Sequence, residues 1–303
     1  MIYLLIITKV VISGGTGFIG TNLAKHLISK GEEVTILTRG ENKIDGNPGY
    51  IHWDPSVEKY NDGIEGADVV INLAGYSIAA KRWSTRVKNE LVESRVKSTN
   101  YLVKSLERWN TKLFISASAV GYYGFRGDEL VDETSSPGQD FLSSVAKKWE
   151  EAAKSVKEDY VSILRFGIVI GREGGILKRF LKPVKYGLSK KIGSGEQWIS
   201  WVDIDDVIGA IDFIISNDLK GTYNVTSPNP LRNREFMKII SEEMGKRQHV
   251  SVPGILIKTL LGEMGESLIL NGQRAVPRRL ESEGYLFKYP ELNHSIKKAL
   301  SQD

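Results

Sequence analysis

The chain has 303 residues, no cysteine, and a formal net charge of +4 set by 41 Lys and Arg against 37 Asp and Glu. That length exceeds what one compact core usually holds, so one large α/β unit with a smaller appended lobe is expected, and a 41% hydrophobic fraction is enough to fill both. Disulfide and thiolate chemistry are excluded, a reducing, cytoplasmic setting is expected, and charge dispersed along the chain argues against nucleic acid as a partner.

The opening MIYLLIITKVVIS is apolar but has no basic flank and no small-residue cleavage site. It reads as a buried parallel strand, with Met1 to Ile7 an extension of it. No other run approaches the ~18 apolar residues of a membrane span, so no membrane partner is expected. The stretches TNLAKHLISKG, EVTILT, ADVVINLAG, ELVESRVKSTNYLVKSLERW and KLFISAS then alternate helix-like and strand-like patterns. This rhythm is βαβ and predicts a parallel sheet with helices on both faces. SVAKKWEEAAKSVK adds a helix, and VSILRFGIVIG reads as one continuous strand buried on both sides.

After Gly171 glycines, prolines and basic residues become denser, and GSGEQWISWVDIDDVIGAIDFII returns briefly to strand-then-helix. The remainder reads as amphipathic helices separated by Pro and Gly. Residues 1–227 are therefore expected to form a nucleotide-binding unit, with about 172–195 joining the second lobe, and residues 228–303 a small, mainly helical C-terminal lobe.

The segment Gly14-Gly15-Thr16-Gly17-Phe18-Ile19-Gly20 follows a predicted strand and opens a predicted helix. Gly14, Gly17 and Gly20 supply a tight turn, a close approach of backbone to pyrophosphate, and tight helix packing. The helix N-terminus presents free N–H groups to the diphosphate, which brings Thr16, Phe18 and Ile19 into the expected cofactor site. At the end of the second strand Thr38 and Arg39 stand where an NAD enzyme carries an acid for the ribose 2′-hydroxyl. An acid there repels a 2′-phosphate and an arginine attracts one, so NADP is the expected cofactor; a solvated loop arginine is the alternative.

GGTGFIG, NLAG at 72–75, SASAVGYYG at 116–124, LRFGIVIG at 164–171 and WVDIDDV at 201–207 together resemble the extended short-chain dehydrogenase/reductase superfamily, which includes nucleotide-sugar epimerases. HWDP at 52–55, KRW at 81–83, IGSGEQWISW at 192–201 and GQRAVPRRLESEGYLFKYPEL at 272–292 resemble its atypical YfcH-like branch. The resemblance implies a Rossmann-type doubly wound parallel sheet and a small C-terminal substrate lobe. It also implies that Leu73, Ala74 and Gly75 lie under the cofactor, that Ser118 lies beside the reacting carbon, and that Glu90 and Arg95 lie near the cofactor on the long helix. Arg95 replaces an Asn of ordinary members, and for both helix residues a solvated face is the alternative.

The larger departure is in DFLSSVAKKWE, where Phe141 and Val145 occupy the places of the superfamily's Tyr and Lys. The usual Tyr exchanges a proton with the substrate oxygen once a nearby Lys lowers its pKa from ~10. Phe141 and Val145 can do neither, and Lys147 and Lys148 point to other sides of the helix. Tyr122 is the candidate replacement acid/base, with an aromatic packed on nicotinamide or substrate as the alternative. Ser118 is assigned to positioning a substrate oxygen.

No metal site is expected. His26, His52, His249 and His294 form no ligand spacing, and Asp203, Asp205 and Asp206 precede a helix that they cap. Arg274, Arg278 and Arg279 suit a diphosphate or carboxylate, with a solvated basic face as the alternative. Trp198 and Trp201 either shape the pocket floor or pack in a core. The expected function is that of an NADP-dependent oxidoreductase or epimerase-like protein acting on a small anionic or nucleotide-sugar substrate. The alternative is an NADP(H)-binding structural or regulatory protein with little turnover. Nothing in the sequence fixes an oligomeric state.

Overall fold

The computed structural model describes residues 8–55, 64, 66–175, 177–187, 190–247 and 250–301. The expected extension at Met1 to Ile7, and His249, lie outside them. Seven parallel strands form the central sheet in the order β3 (Gly49–His52), β2 (Glu33–Thr38), β1 (Lys9–Ser13), β4 (Val69–Asn72), β5 (Leu113–Ala119), β7 (Val161–Phe166) and β11 (Gly221–Val225). This is the doubly wound α/β sheet that the βαβ rhythm predicts. Its winding reverses at β1, which pairs with β2 on one side and β4 on the other. Ligands of such sheets bind beyond the carboxyl ends of the strands at this reversal.

Alternation along β1 divides the packing. Val10 and Ile12 face the core that holds Leu23 and Leu27 of α1 (Phe18–Ser29) and Val207 and Ile211 of α5 (Ile204–Ser216). Val11 faces the opposite core, with Tyr101 and Leu102 of α2 (Thr85–Leu106) and Ala153 of α3 (Phe141–Ala153). With both faces covered, β4 is buried at every position, which is why these strands read as unbroken apolar runs.

Two features differ from the sequence reading. VSILRFGIVIG is two strands: β7 stays in the main sheet, while β8 (Ile168–Ile170) pairs in parallel with β10 (Trp201–Asp203) in a separate ribbon. The break falls at Gly167, where a Cβ would stand 2.7 Å from the Ser200 carbonyl oxygen. The edge strand β3 went unread because its four residues GYIH are too short for a period-two signal. Helix starts also lie earlier than the apolar pattern alone indicates, because Ser84 caps α2 by accepting from Val87 N and Asp140 caps α3 by accepting from Ser143 N.

A second core joins distant segments. Leu177 of α4 (Leu177–Lys185), Ile199 of β9 (Trp198–Ile199) and Trp201 pack with Phe236 and Ile240 of α6 (Asn233–Glu243) and Ile296 of α10 (Leu292–Ser301). Trp201 is fully buried there and donates Nε1–H to Asn229 O, so it belongs to the core. Other short strands tie these segments together: β12 (Leu231–Arg232) pairs with β9, and β13 (Arg274–Ala275) pairs with β6 (Leu130–Val131). Helices α7 (Gly254–Leu261) and α8 (Glu263–Gly265) precede β13, and α9 (Arg278–Ser282) returns to the first core through Leu280. Asp203 caps α5 by accepting from Asp205 N, and its carboxylate also accepts from Ser295 and Lys298 of α10. Buried Asp206 accepts from Lys288 N and Tyr289 N.

Candidate functional site

The glycine loop wraps the N-terminus of α1 at the carboxyl end of β1. Gly14 adopts φ +72, and a Cβ there would stand 2.6 Å from the Leu73 carbonyl group, so loop and NLAG segment touch backbone to backbone. A Cβ on Gly20 would be 2.4 Å from Gly14 O, so Gly20 sets the approach of helix to loop. Gly17 is exposed and is the N-cap of α1, which has no side-chain cap. The first N–H groups of α1, together with exposed Thr16, are thus left available to an oxyanion. The Phe18 ring packs under Gly171 and Gly174, which leaves Phe18 only its backbone to offer such a site.

Asn72, absent from the sequence-based set, orders the next segment. Its Oδ1 accepts from Ser13 Oγ and Ala74 N, and its Nδ2 donates to Thr99 Oγ1. Its signal was a polar residue closing an otherwise apolar strand. Arg95 reaches from α2 to the underside of Gly75, and its Nη1 donates to Tyr76 O at 3.1 Å and Leu91 O at 2.9 Å. No carboxylate pairs with it among the described residues. Burial draws its pKa down to about 10, and the charge persists at neutral pH. Glu90 is turned elsewhere, pairing with Arg86 one helical turn away at 2.9 Å.

Thr38 and Arg39 end β2 beside this loop. Thr38 Oγ1 accepts from Gly40 N, and a His52 ring nitrogen contacts Gly40 O at 2.8 Å, which fixes the turn behind Arg39. Arg39 is exposed and makes no hydrogen bond among the described residues. Its guanidinium remains available to a phosphate.

At the end of β5 the arrangement departs from expectation. Ser118 is 3% exposed and donates to Glu150 Oε1 at 2.7 Å, so its proton is directed inward. Arg165 holds the same carboxylate in a two-bond fork, Nε to Oε1 and Nη2 to Oε2, each 2.8 Å. Burial opposes the Arg165 charge, but the Glu150 carboxylate outweighs it and keeps the guanidinium more basic than usual. Arg165 Nη1 also donates to Tyr123 OH, which donates to Asn224 Oδ1. Burial pushes the Tyr123 phenol up to about 12, which makes it a structural group. Tyr122 is half-buried and lies with its ring centroid 3.5 Å from Arg165 Cζ, a cation–π contact.

Helix α3 presents two different stripes. Phe141, Val145 and Trp149 share one face, which meets α2: Phe141 lies edge-on to Trp83 at 5.0 Å, and Arg95 Cζ sits 5.0 Å from the Trp149 ring. Leu142, Ala146 and Glu150 share the next face, which meets Gly121 and Ser118. On this face Glu150 meets Ser118 and Leu142 meets Gly121, and neither face supplies a phenol or an ammonium. The Lys88 ammonium lies 4.8 Å from the Phe141 ring and pairs with Glu263 of α8. Lys147 and Lys148 are exposed.

The basic triplet does not act as one patch. Arg278 pairs with Asp132 at 3.2 Å, and Arg279 donates Nη2–H to Lys220 O while its backbone N–H donates to Glu133. Burial raises the Glu133 carboxyl pKa. Arg274 alone of the three has no such partner among the described residues, and it lies over Trp198. Among the described residues no group of three His, Cys, Asp or Glu can hold a metal ion, and no helix is long and apolar enough to cross a membrane.

The model of the NAD dependent epimerase/dehydratase family matches residues 10–226. The chain belongs to that family. A domain of unknown function, DUF1731, matches residues 252–299. The chain is 32% identical over 300 residues to the human epimerase family protein SDR39U1, covering 97% of this chain and all of that protein. It is 35% identical to the Staphylococcus aureus epimerase family protein SAR0825, covering 96% and 98%. A relative in Arabidopsis thaliana, 32% identical over 94% of this chain and 85% of its own length, is named as chloroplastic. Among solved structures, human SDR39U1 with NADPH superposes with a TM-score of 0.90 at 31% identity, covering 98% and 100% of the two chains. A UDP-galactose 4-epimerase shares the fold at 16% identity and a TM-score of 0.73, covering 96% and 97%. The family assignment and the doubly wound fold thus agree with the motifs quoted above.

Proposed function

We propose that this family member binds NADP(H) and transfers hydride to or from a small anionic or nucleotide-sugar substrate, as an oxidoreductase or epimerase with a non-standard acid/base set. The observation that carries the reading is Arg95, a half-buried cation without a carboxylate partner among the described residues, placed under Gly75, which follows the Leu73 and Ala74 backbone that touches the glycine loop. A half-buried guanidinium held by two carbonyls and an aromatic face, with no anion against it, gains when an anion joins it. Gly14, Gly17 and Gly20 would cradle the diphosphate, Leu73 to Gly75 would lie along the cofactor, and Thr38 with Arg39 would take the 2′-phosphate. The human relative solved with NADPH supports this choice of cofactor. The nucleotide-sugar class rests on neighbours of low identity solved with UDP-glucose or UDP-N-acetylmuramic acid.

The bound cofactor supplies or accepts the hydride. The chain's own residues bind it, orient it and manage protons. In this reading residues 1–227 form the cofactor unit, joined at about 172–195 by a substrate lobe of residues 228–303. Calorimetric titration with NADPH and NADH tests the cofactor: NADPH binds tighter by about two orders of magnitude, as two charge-assisted bonds allow, and Arg39→Ala narrows the gap. Equal affinities in the wild type would overturn the assignment.

A second reading, cofactor binding with little turnover, is favoured by the inward Ser118 and the absence of Tyr and Lys on both relevant faces of α3. Incubating the NADPH-loaded protein with a panel of keto sugars and keto acids, while following nicotinamide absorbance, separates the two. Oxidation of NADPH by any of them supports the enzyme.

A further inference from the structure

Resting on that reading of a small anionic substrate, we propose that Arg274, stacked on Trp198, anchors a single oxyanion of the substrate, a carboxylate or a phosphate. The chain builds this spot from four distant segments. Ile168 N donates to Ser200 O at 2.8 Å, which lays the β9–β10 corner beyond the carboxyl end of β7. Ser200 Oγ donates to Gln273 O and accepts from Ala275 N, clamping β13 against that corner. Gly272 permits the crossing, since a Cβ there would stand 1.8 Å from Trp198 O. Arg274 in turn pairs in register with Leu130, two residues beyond Asp128.

Around Trp198 the charges do not balance. Asp128 Oδ1 accepts from Trp198 Nε1 at 3.0 Å and from Arg232 Nη2 at 2.6 Å, while Arg232 Cζ lies 4.1 Å from the indole centroid. Hydrogen bonds from Trp198 and Arg232, with the Arg232 and Arg274 charges nearby, hold the Asp128 carboxyl below its usual range, so one carboxylate, hydrogen-bonded to Arg232, faces two guanidinium groups. Arg234 pairs with Glu196, Arg278 with Asp132, and Arg279 with Glu283. The Arg274 side chain stacks 4.5 Å from the same indole and makes no hydrogen bond or ion pair with any described residue, and its Nε is buried without a partner. A guanidinium has five N–H donors in a fork that matches one carboxylate or phosphate edge. One uncompensated cation calls for one oxyanion. The Asp128 side chain, 73% exposed, leaves the cluster open to solvent. Arg126, two residues before Asp128, donates Nε–H to Tyr123 O, which ties the Asp128 segment to the turn that holds Tyr122.

The test is tryptophan fluorescence of the full chain, with and without NADP+, titrated with glucuronate, glucose 1-phosphate and glucose. Trp198→Phe identifies the reporting indole. The expected result is saturable quenching by one or both anions and none by glucose, with affinity weakened about tenfold or more in Arg274→Ala and partly kept in Arg274→Lys. The tighter anion names the oxyanion. Circular dichroism and NADP+ titration of Arg274→Ala show that the variant is folded and cofactor-competent. No saturable quenching by either anion, or equal affinities in the wild type and a folded Arg274→Ala, overturns the proposal. Failure of the wild type to bind NADP+ would sink the cofactor reading instead, with the anion titrations of the free protein still deciding the role of Arg274.

Discussion

Ser118 donates its hydroxyl to Glu150 across 2.7 Å, in a pocket where neither side chain is more than 3% exposed. The serine expected beside the reacting carbon is therefore bonded to the floor of the site, and that floor is a charged pair, Glu150 with Arg165. The lone pairs of Ser118 can still accept a bond from a substrate hydroxyl. Its proton is not free for donation while Glu150 holds it.

That buried pair should dominate local stability. Arg165→Ala leaves Glu150 uncompensated and also removes a donor from Tyr123. A loss of about 3–5 kcal/mol in urea unfolding is expected, the scale for removing one partner of a buried pair. A loss below ~1 kcal/mol, the scale of an exposed pair, would mean that water reaches the carboxylate.

The two glycines of the loop should fail differently. Gly20→Ala drives a Cβ to within 2.4 Å of Gly14 O and should destabilise the fold together with cofactor binding. Gly17 meets only Gly14 O at 3.2 Å, on an exposed turn, so Gly17→Val should keep most of the stability and lose NADPH affinity. Thermal unfolding beside calorimetry checks both, and a folded Gly17→Val with wild-type affinity would remove the loop assignment.

Arg95→Met should separate stability from binding. The substitution removes a partly desolvated charge but orphans Tyr76 O, two opposed effects that should leave the free protein within about 1–2 kcal/mol of wild type. NADPH affinity should nevertheless drop about tenfold or more, as expected for losing a charge-assisted contact. A folded variant with unchanged affinity would place the guanidinium outside the cofactor site.

A phenol introduced on each stripe of α3 should report which one faces the cofactor. In Leu142→Tyr the new phenol lies toward Gly121 and Ser118, and its pKa should fall when NADP+ binds, because the nicotinamide charge favours phenolate. In Phe141→Tyr the phenol lies near the Lys88 ammonium, so its pKa should be low without cofactor and respond little to it. Ultraviolet difference titration with and without NADP+ distinguishes the two, and the reverse pattern would restore Phe141 to the usual Tyr position.

Alkaline stability should carry the mark of Tyr123. Its phenol is pushed up to about 12 by burial, so between that value and the ~10 of an unfolded tyrosine only the unfolded chain loses the proton. The unfolded state then binds fewer protons and stability falls as pH rises, by on the order of 2 kcal/mol across the interval. Tyr123→Phe should flatten this limb relative to wild type in unfolding curves taken at several alkaline pH values. An unchanged slope would mean that Tyr123 ionises as freely in the folded protein.

What the sequence determined by itself was local and periodic. The glycine loop, the βαβ rhythm and the basic residue after β2 each depend on neighbours a few positions apart, so spacing and side-chain chemistry suffice to read them. The absence from DFLSSVAKKWE of a Tyr followed four positions later by a Lys was equally legible, since residue identity and spacing alone establish it. Which stripe of α3 faces Ser118 was not, because a one-residue offset on a helix turns a side chain by about 100° and only packing against β5 selects the face. The partners of charged groups were hidden for the same reason. Glu150 with Arg165, Arg278 with Asp132 and Arg274 with Trp198 meet across 15, 146 and more than 70 residues of chain. Tertiary structure decided those contacts because ionic and hydrogen-bonding energies depend on distance and burial in space, while sequence fixes only separation along the chain.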